Sequence, residues 1–216
     1  MLYSVKEIFY TLQGEGRQAG RPAVFCRFAG CNLWTGSEAR RGASICDFCD
    51  TDFVGVDGML GGRYSAQELA QLIASCWPEG MPGHPLVVLT GGEPMLQVNE
   101  MLVHELHDQG FEIAIETNGT LPVPASIDWI CVSPKGSSKI VQTKGNELKL
   151  VYPQRLAMPE QFIDFDFENH YLQPLDKSYI ATSNDDDNYV QQTIDYCLQH
   201  PQWRLSLQTH KITGIR

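Results

Sequence analysis

Apolar residues fall along this chain in short runs, and most of the runs stop at a polar, glycine-bearing cluster. Residues 5–10 read as a strand entering the turn TLQGEG, and residues 22–28 as a second strand whose end delivers Arg27 and Cys31. A cysteine-bearing loop follows, then a Gly-rich linker through Gly61 and Gly62. Ser65 and Glu68 form a capping-box pattern ahead of apolar positions 66, 69, 70 and 73, which predicts a helix ending before Pro78. Residues 86–89 read as a buried strand ending in Thr90, Gly91, Gly92, Glu93 and Pro94, followed by a helix with Val98, Leu102 and Leu106 on one face and Gly110 at its end. Strands at 111–115, 127–132, 148–151 and 170–172 come next. The first ends in ETNG, the second in SPK and the last in QPLD. A helix carrying Val190, Ile194, Cys197 and Leu198 precedes a final strand at 204–207, which ends near Gln208, Thr209, His210 and Lys211.

Apolar strand interiors with polar ends are the pattern of a parallel β/α sheet, whose strand ends share one rim where active sites collect. Turn chemistry explains any one such cluster, but four or more in sequence point to a shared site. Eight strand–helix units need about 250 residues. This chain has 216 and shows fewer units, so the expected fold class is α/β, an incomplete, open (β/α) barrel.

Composition narrows the function classes. Hydrophobic residues make up 43%, which suits one globular domain with a large core. No apolar run approaches membrane-spanning length, and the opening MLYSVKEIF lacks a basic region with an apolar stretch behind it, so a cytoplasmic protein without membrane contact is expected. A formal net charge of −10 without any basic block argues against nucleic-acid binding. Seven cysteines, an odd number, read in a reducing compartment as ligands or core residues rather than as a disulfide framework.

Three of those cysteines carry the chemistry. Cys31, Cys46 and Cys49 stand in a Cys-x14-Cys-x2-Cys spacing closed by Asp50 and Thr51. The spacing serves two metals. A structural zinc site needs four ligands and would take Cys26 as the fourth, giving a zinc-stabilised binding module. A four-iron cluster takes three thiolates and leaves one iron without a protein ligand. Cys26, flanked two residues away by Val24 and Phe28, reads as a buried strand residue.

The three-cysteine loop after an early strand, with Gly91-Gly92-Glu93-Pro94 after the next buried strand, resembles the radical S-adenosylmethionine (SAM) superfamily. The usual superfamily loop is Cys-x3-Cys-x2-Cys, so the long insertion is a departure. That insertion, together with TLQGEG, Cys-Asp-Thr, ETNG, SPK and THK, is similar to the 7-carboxy-7-deazaguanine synthase family over the whole chain. A glycyl-radical activase is the alternative within the superfamily. Such activases keep the short loop, and LQGEG and Arg27 argue against one here.

The resemblance implies a single radical SAM domain over residues 1–216 with an enlarged cluster-binding loop at 32–45. It implies a [4Fe-4S] cluster on Cys31, Cys46 and Cys49, SAM bound to its open iron, and radical conversion of 6-carboxy-5,6,7,8-tetrahydropterin to 7-carboxy-7-deazaguanine on the way to queuosine. SAM contacts are expected from Phe48, Asp50, Gly92, Ser133, Pro134, Lys135, Gln173, Pro174, Leu175 and Asp176. Pterin contacts are expected from Leu12, Gln13, Gly14, Arg27, Thr90, Asn118 and the terminal Arg216, with Glu116 and His210 as catalytic candidates on the rim. Arg27 suits the substrate carboxylate, because a guanidinium offers a planar pair of donors and a lone arginine on an apolar strand wants an anionic partner. Thr51 matches a ligand for Mg²⁺, an ion that keeps waters and takes substrate oxygens. The family further implies a homodimer and an external one-electron donor such as flavodoxin.

Overall fold

Period-two alternation organises the molecule. In the computed structural model, which describes residues 1–176 and 188–215, nine strands form one sheet in the order β3-β1-β2-β4-β5-β6-β7-β8-β9. They are β1 (Tyr3–Leu12), β2 (Pro22–Phe28), β3 (Gly62–Tyr64), β4 (Leu86–Gly91), β5 (Glu112–Thr117), β6 (Trp129–Val132), β7 (Lys144–Tyr152), β8 (Asp166–Pro174) and β9 (Arg204–Leu205). β1 runs antiparallel to both β2 and β3, and every pairing from β2 to β9 is parallel.

One face of each strand builds the outer core. Val24, Cys26 and Phe28 of β2, Val87 and Leu89 of β4, and Ile113 and Ile115 of β5 pack against Leu69, Ala70 and Ile73 of α1 (Ala66–Cys76) and Leu102, Val103 and Leu106 of α2 (Glu100–Asp108). Each fully buried side chain of this kind contributes about 1.5–3 kcal/mol relative to exposure. A second outer cluster joins Val132, Leu148, Leu150 and Leu172 to Phe162, Phe167 and Trp203, with Tyr196 and Cys197 of α3 (Tyr189–Gln199) against it. The opposite faces turn inward. Ala23, Leu86, Val88 and Ala114 close the bottom of the interior, and the polar residues that follow at the same parity line its mouth.

The capping box on α1 forms as expected: Ser65 Oγ accepts from Glu68 N at 3.3 Å, and Glu68 Oε2 accepts from Ser65 N at 2.8 Å. α2 starts at Asn99, whose Oδ1 accepts from Leu102 N at 3.2 Å.

Three expectations change. The Gly-rich linker contains β3, a short edge strand held by backbone pairing to β1. The expected apolar face of α3 is wrong at two positions, since Val190 is 48% and Leu198 77% exposed. Cys197 of the expected face does pack, and Thr193 and Tyr196 join it. The last strand stops at Leu205, and residues after it turn into a short helix, α4 (Thr209–Thr213).

The sheet does not close into a barrel, because β3 and β9 remain its edges. Its curvature nevertheless brings the loop after β1 against the segment after β9. Gly16 N donates to Ser206 Oγ at 2.9 Å, and Thr209 N and Oγ1 both donate to Gly14 O, at 3.0 and 2.9 Å. No helix among the described residues is long and apolar enough to cross a membrane.

Candidate active site

The strand ends from β1 to β8 surround one cavity of about 370 Å³, a volume in the range of small-molecule sites. Cys31, Cys46, Phe48, Cys49, Asp50, Thr51, Gly92, Ser133, Lys135, Gln173, Pro174, Leu175 and Asp176 line it, and so do Leu12, Gln13, Gly14, Arg27, Thr90, Glu116, Asn118 and His210. Of the sequence-derived candidates, Pro134 is buried behind the wall, where its carbonyl accepts from Gln154 Nε2 at 3.1 Å. Arg216 lies outside the described residues.

The three thiols sit on one side of the mouth. Cys46 shares a hydrogen bond with Cys49, which brings the Cys49 thiol down to about 7 against the cost of burial while Cys46 is pushed up. Leu33 N points at Cys31 Sγ, 3.4 Å away. Cys26 is fully buried in the helix-facing core and is absent from the cavity. Among the described residues no three His, Cys, Asp or Glu side chains converge on a single ion. This donor set does not fit a four-cysteine zinc site. It fits a larger group that takes three thiolates and keeps one position facing the cavity.

The long insertion carries its own fastening. Arg41, only 16% exposed, donates through Nη1 to Asp47 O at 3.0 Å and Cys49 O at 2.9 Å, pairs with Glu38, and stacks over the Trp34 ring at 4.2 Å. The first cysteine is fastened from the other side. A Cβ on Gly92 would come within 2.1 Å of Gly30 O and 2.8 Å of Cys31 Cβ, so the glycine is required by the close approach of its turn to the cysteine loop. Glu93, fully buried, holds that turn to the end of β5: it accepts from Asn118 N at 2.8 Å, Thr117 Oγ1 at 2.7 Å and Met95 N at 2.9 Å. Burial raises its pKa, and these donors oppose the rise.

Across the cavity the walls are charged. Arg27 does meet an anionic partner, but within the chain: its Nε donates to Glu7 Oε1 at 2.9 Å across the β1–β2 pair. Lys149, 4% exposed, bridges Glu15 and Glu116, each at 2.9 Å. Gln13 Nε2 reaches Glu116 at 3.3 Å, and Gln173 Nε2 and Gln208 Nε2 reach Glu15 at 3.2 and 3.1 Å. Burial alone would raise the Glu15 carboxyl, but the Lys149 charge and hydrogen bond overcome it and bring the pKa to about 2. Near the tail, Lys211 Nζ bridges Asp50 at 2.6 Å and Asp176 at 2.5 Å.

The sequence reading missed Glu7, Glu15 and Lys149. The signal for Lys149 was present: in NELKLVY, charged and apolar residues alternate, which puts Glu147 and Lys149 on the inner face opposite Leu148 and Leu150.

Comparison with known proteins gives a consistent result. No protein-family model matches the chain. A 7-carboxy-7-deazaguanine synthase from Bradyrhizobium diazoefficiens is 60% identical over 217 residues, covering 100% of both chains. One from Bordetella pertussis is 59% identical over 216 residues, again covering 100% of both. The crystal structure of QueE from Escherichia coli superposes with a TM-score of 0.70 at 28% identity, covering 96% of this chain and 94% of that one. With full-length identity at this level and the cavity built from the residues above, the chain belongs to the 7-carboxy-7-deazaguanine synthase family.

Proposed function

We infer that the protein converts 6-carboxy-5,6,7,8-tetrahydropterin to 7-carboxy-7-deazaguanine, a carbon–nitrogen lyase reaction of the radical SAM type that feeds queuosine and related 7-deazapurines. The observation that carries this reading is one cavity with three thiols at its mouth and opposed cationic and anionic side chains within it. When bound on Cys31, Cys46 and Cys49, a [4Fe-4S] cluster with SAM supplies a one-electron cleavage that yields a hydrogen-abstracting radical.

The chain's own residues bind, orient and shield. Gly92, Ser133, Lys135 and the rim from Gln173 to Asp176 line the same cavity as the cysteines, and an amino acid moiety and a nucleoside need such polar partners. Phe48 and Asp50 flank the last thiol. Arg27 offers its remaining guanidinium nitrogens to the substrate carboxylate, Glu7 holding the group in orientation through Nε. Thr51, two residues after Cys49 and lining the cavity, would supply a hydroxyl oxygen to a Mg²⁺ ion. Leu12, Gln13, Gly14, Thr90 and Asn118 enclose the ring, and Glu116 and His210 are the groups available to move protons during ring contraction.

The protein acts as a single domain over 1–216, with 32–45 as its enlarged cluster loop. It works in the cytoplasm as a homodimer and takes electrons from an external donor such as flavodoxin. Anaerobic incubation of the iron-loaded protein with SAM, a reductant and the carboxytetrahydropterin should give the ring-contracted product by mass, with the yield rising on addition of Mg²⁺. SAM cleavage without that product would remove the substrate assignment, and identical yields with and without Mg²⁺ would remove the metal.

A further inference from the structure

The interior of the open barrel holds more charge than binding one carboxylate explains. In the cavity wall, Lys149 from β7 meets Glu15 from the loop after β1 and Glu116 from the end of β5. Glu147 lies two residues earlier on the same face, Cys131 faces them from β6, and His210 approaches from α4. Lys149 sits at the centre of this group at 4% exposure, and Glu15, Glu116 and Lys149 all line the cavity. Both carboxylates lie 2.9 Å from one nitrogen, so without the ammonium they would repel each other at close range. Three glutamine amides from three further segments, Gln13, Gln173 and Gln208, donate to the same two carboxylates and fix their orientation.

We propose that Lys149 is a positioning residue that sets ring specificity: its ammonium holds Glu15 and Glu116 as two fixed acceptors on the cavity wall, and together they select a heterocycle whose edge carries N–H donors. This rests on the pterin reading above and deepens it. A 2-amino-4-oxo-pyrimidine edge presents several N–H groups in one plane, and an ionised carboxylate is an acceptor only. Replacing the amino group with a carbonyl turns a donor toward those oxygens into an acceptor, which leaves a buried carboxylate unpaired. Arg27, on β2, lines the same cavity and is left for the carboxylate of that ligand.

The test uses the cluster-loaded enzyme under anaerobic conditions with SAM present. It measures dissociation constants for 6-carboxypterin and for 6-carboxylumazine, in which a carbonyl replaces the 2-amino group. Wild type should prefer the pterin. Lys149→Met should weaken pterin binding roughly ten- to hundredfold and erase the preference, with SAM binding unchanged. Lys149→Arg, which keeps the cation, should recover most of both. Removing one partner of a buried ion pair destabilises folding, so the double variant Glu15→Gln/Lys149→Met keeps the net charge and carries the test if the single variant does not fold. It too should lose the preference. A folded variant lacking Lys149 that keeps the wild-type preference would overturn the proposal. So would parallel loss of SAM and pterin binding, which would make the lysine part of the general framework only. Wild type that binds neither heterocycle would sink the substrate reading, and this proposal with it.

Discussion

Cys26 shows how burial separates two thiols of similar sequence surroundings. It stands five residues before Cys31, yet its side chain points into the helix-packed core, where burial pushes its thiol well up. Replacing Cys31, Cys46 or Cys49 with Ala should therefore abolish iron loading and SAM cleavage. Cys26→Ala should keep the cluster and lower stability by about 1–2 kcal/mol, the cost of removing a small buried side chain. Iron and sulfide analysis of the four variants, with urea melts, checks this, and loss of iron in Cys26→Ala equal to the others would overturn the three-ligand set. Arg27 makes the complementary case. One face of its guanidinium is already held by Glu7, so Arg27→Ala removes an oriented cation. Pterin turnover should fall at least tenfold, at roughly 1.5–3 kcal/mol for a charged hydrogen bond, while slow uncoupled SAM cleavage persists. Steady-state kinetics of both reactions measures the split, and equal turnover in both proteins would take Arg27 out of the site.

Elements differ in how much of them could be read from residues. The buried strands at β4 and β5 and the capped α1 are legible because apolar runs and a Ser65/Glu68 box are local signals. β3 and α4 carry no such signal. β3 is a three-residue edge held by pairing with β1, and α4 is a single turn held by Thr209 on Gly14 and Lys211 between two aspartates. The rim motifs of the site were legible because the strand ends are polar and glycine-bearing. The Lys149 bridge was not nominated, since its partners come from segments more than thirty residues away on either side of the sheet. α2 offers a test confined to one element. Asn99 caps it and also accepts from the Tyr3 hydroxyl at 2.7 Å. Asn99→Ala should cost roughly 2–3 kcal/mol, a cap and an orphaned buried hydroxyl together, with cluster loading and KM unchanged. Asn99→Asp should restore much of the loss. Thermal melts and kinetics read both, and an unchanged Tm would show that neither bond matters.

At the scale of the whole molecule, the charges inside the barrel link its stability to pH. Glu15 is held at about 2 in the folded chain against an ordinary 4.5. A depressed carboxyl contributes stability that is fully present above the ordinary value and is lost as the pH falls through the folded one. Glu93 and Glu147 are raised by burial, so mild acid relieves part of their cost and partly masks the loss. Comparing wild type with Glu15→Gln isolates the single group. The difference between their urea midpoints should stay constant above pH 4.5 and change steadily, to the disadvantage of wild type, as the pH drops toward 2. A difference independent of pH would mean that Glu15 keeps an ordinary pKa. The join between the loop after β1 and the segment after β9 has a different consequence. A β-ladder can be reset only in steps of two residues, about 7 Å, because a one-residue slip turns every side chain over. Here the loop after β1 and the segment after β9 meet through a glycine carbonyl, a serine and a threonine, and a methyl group on Gly14 would already press on His210 Nδ1 at 2.4 Å. A single added substituent at this join would press on a side chain that lines the cavity, a far finer step than any shift of strand register.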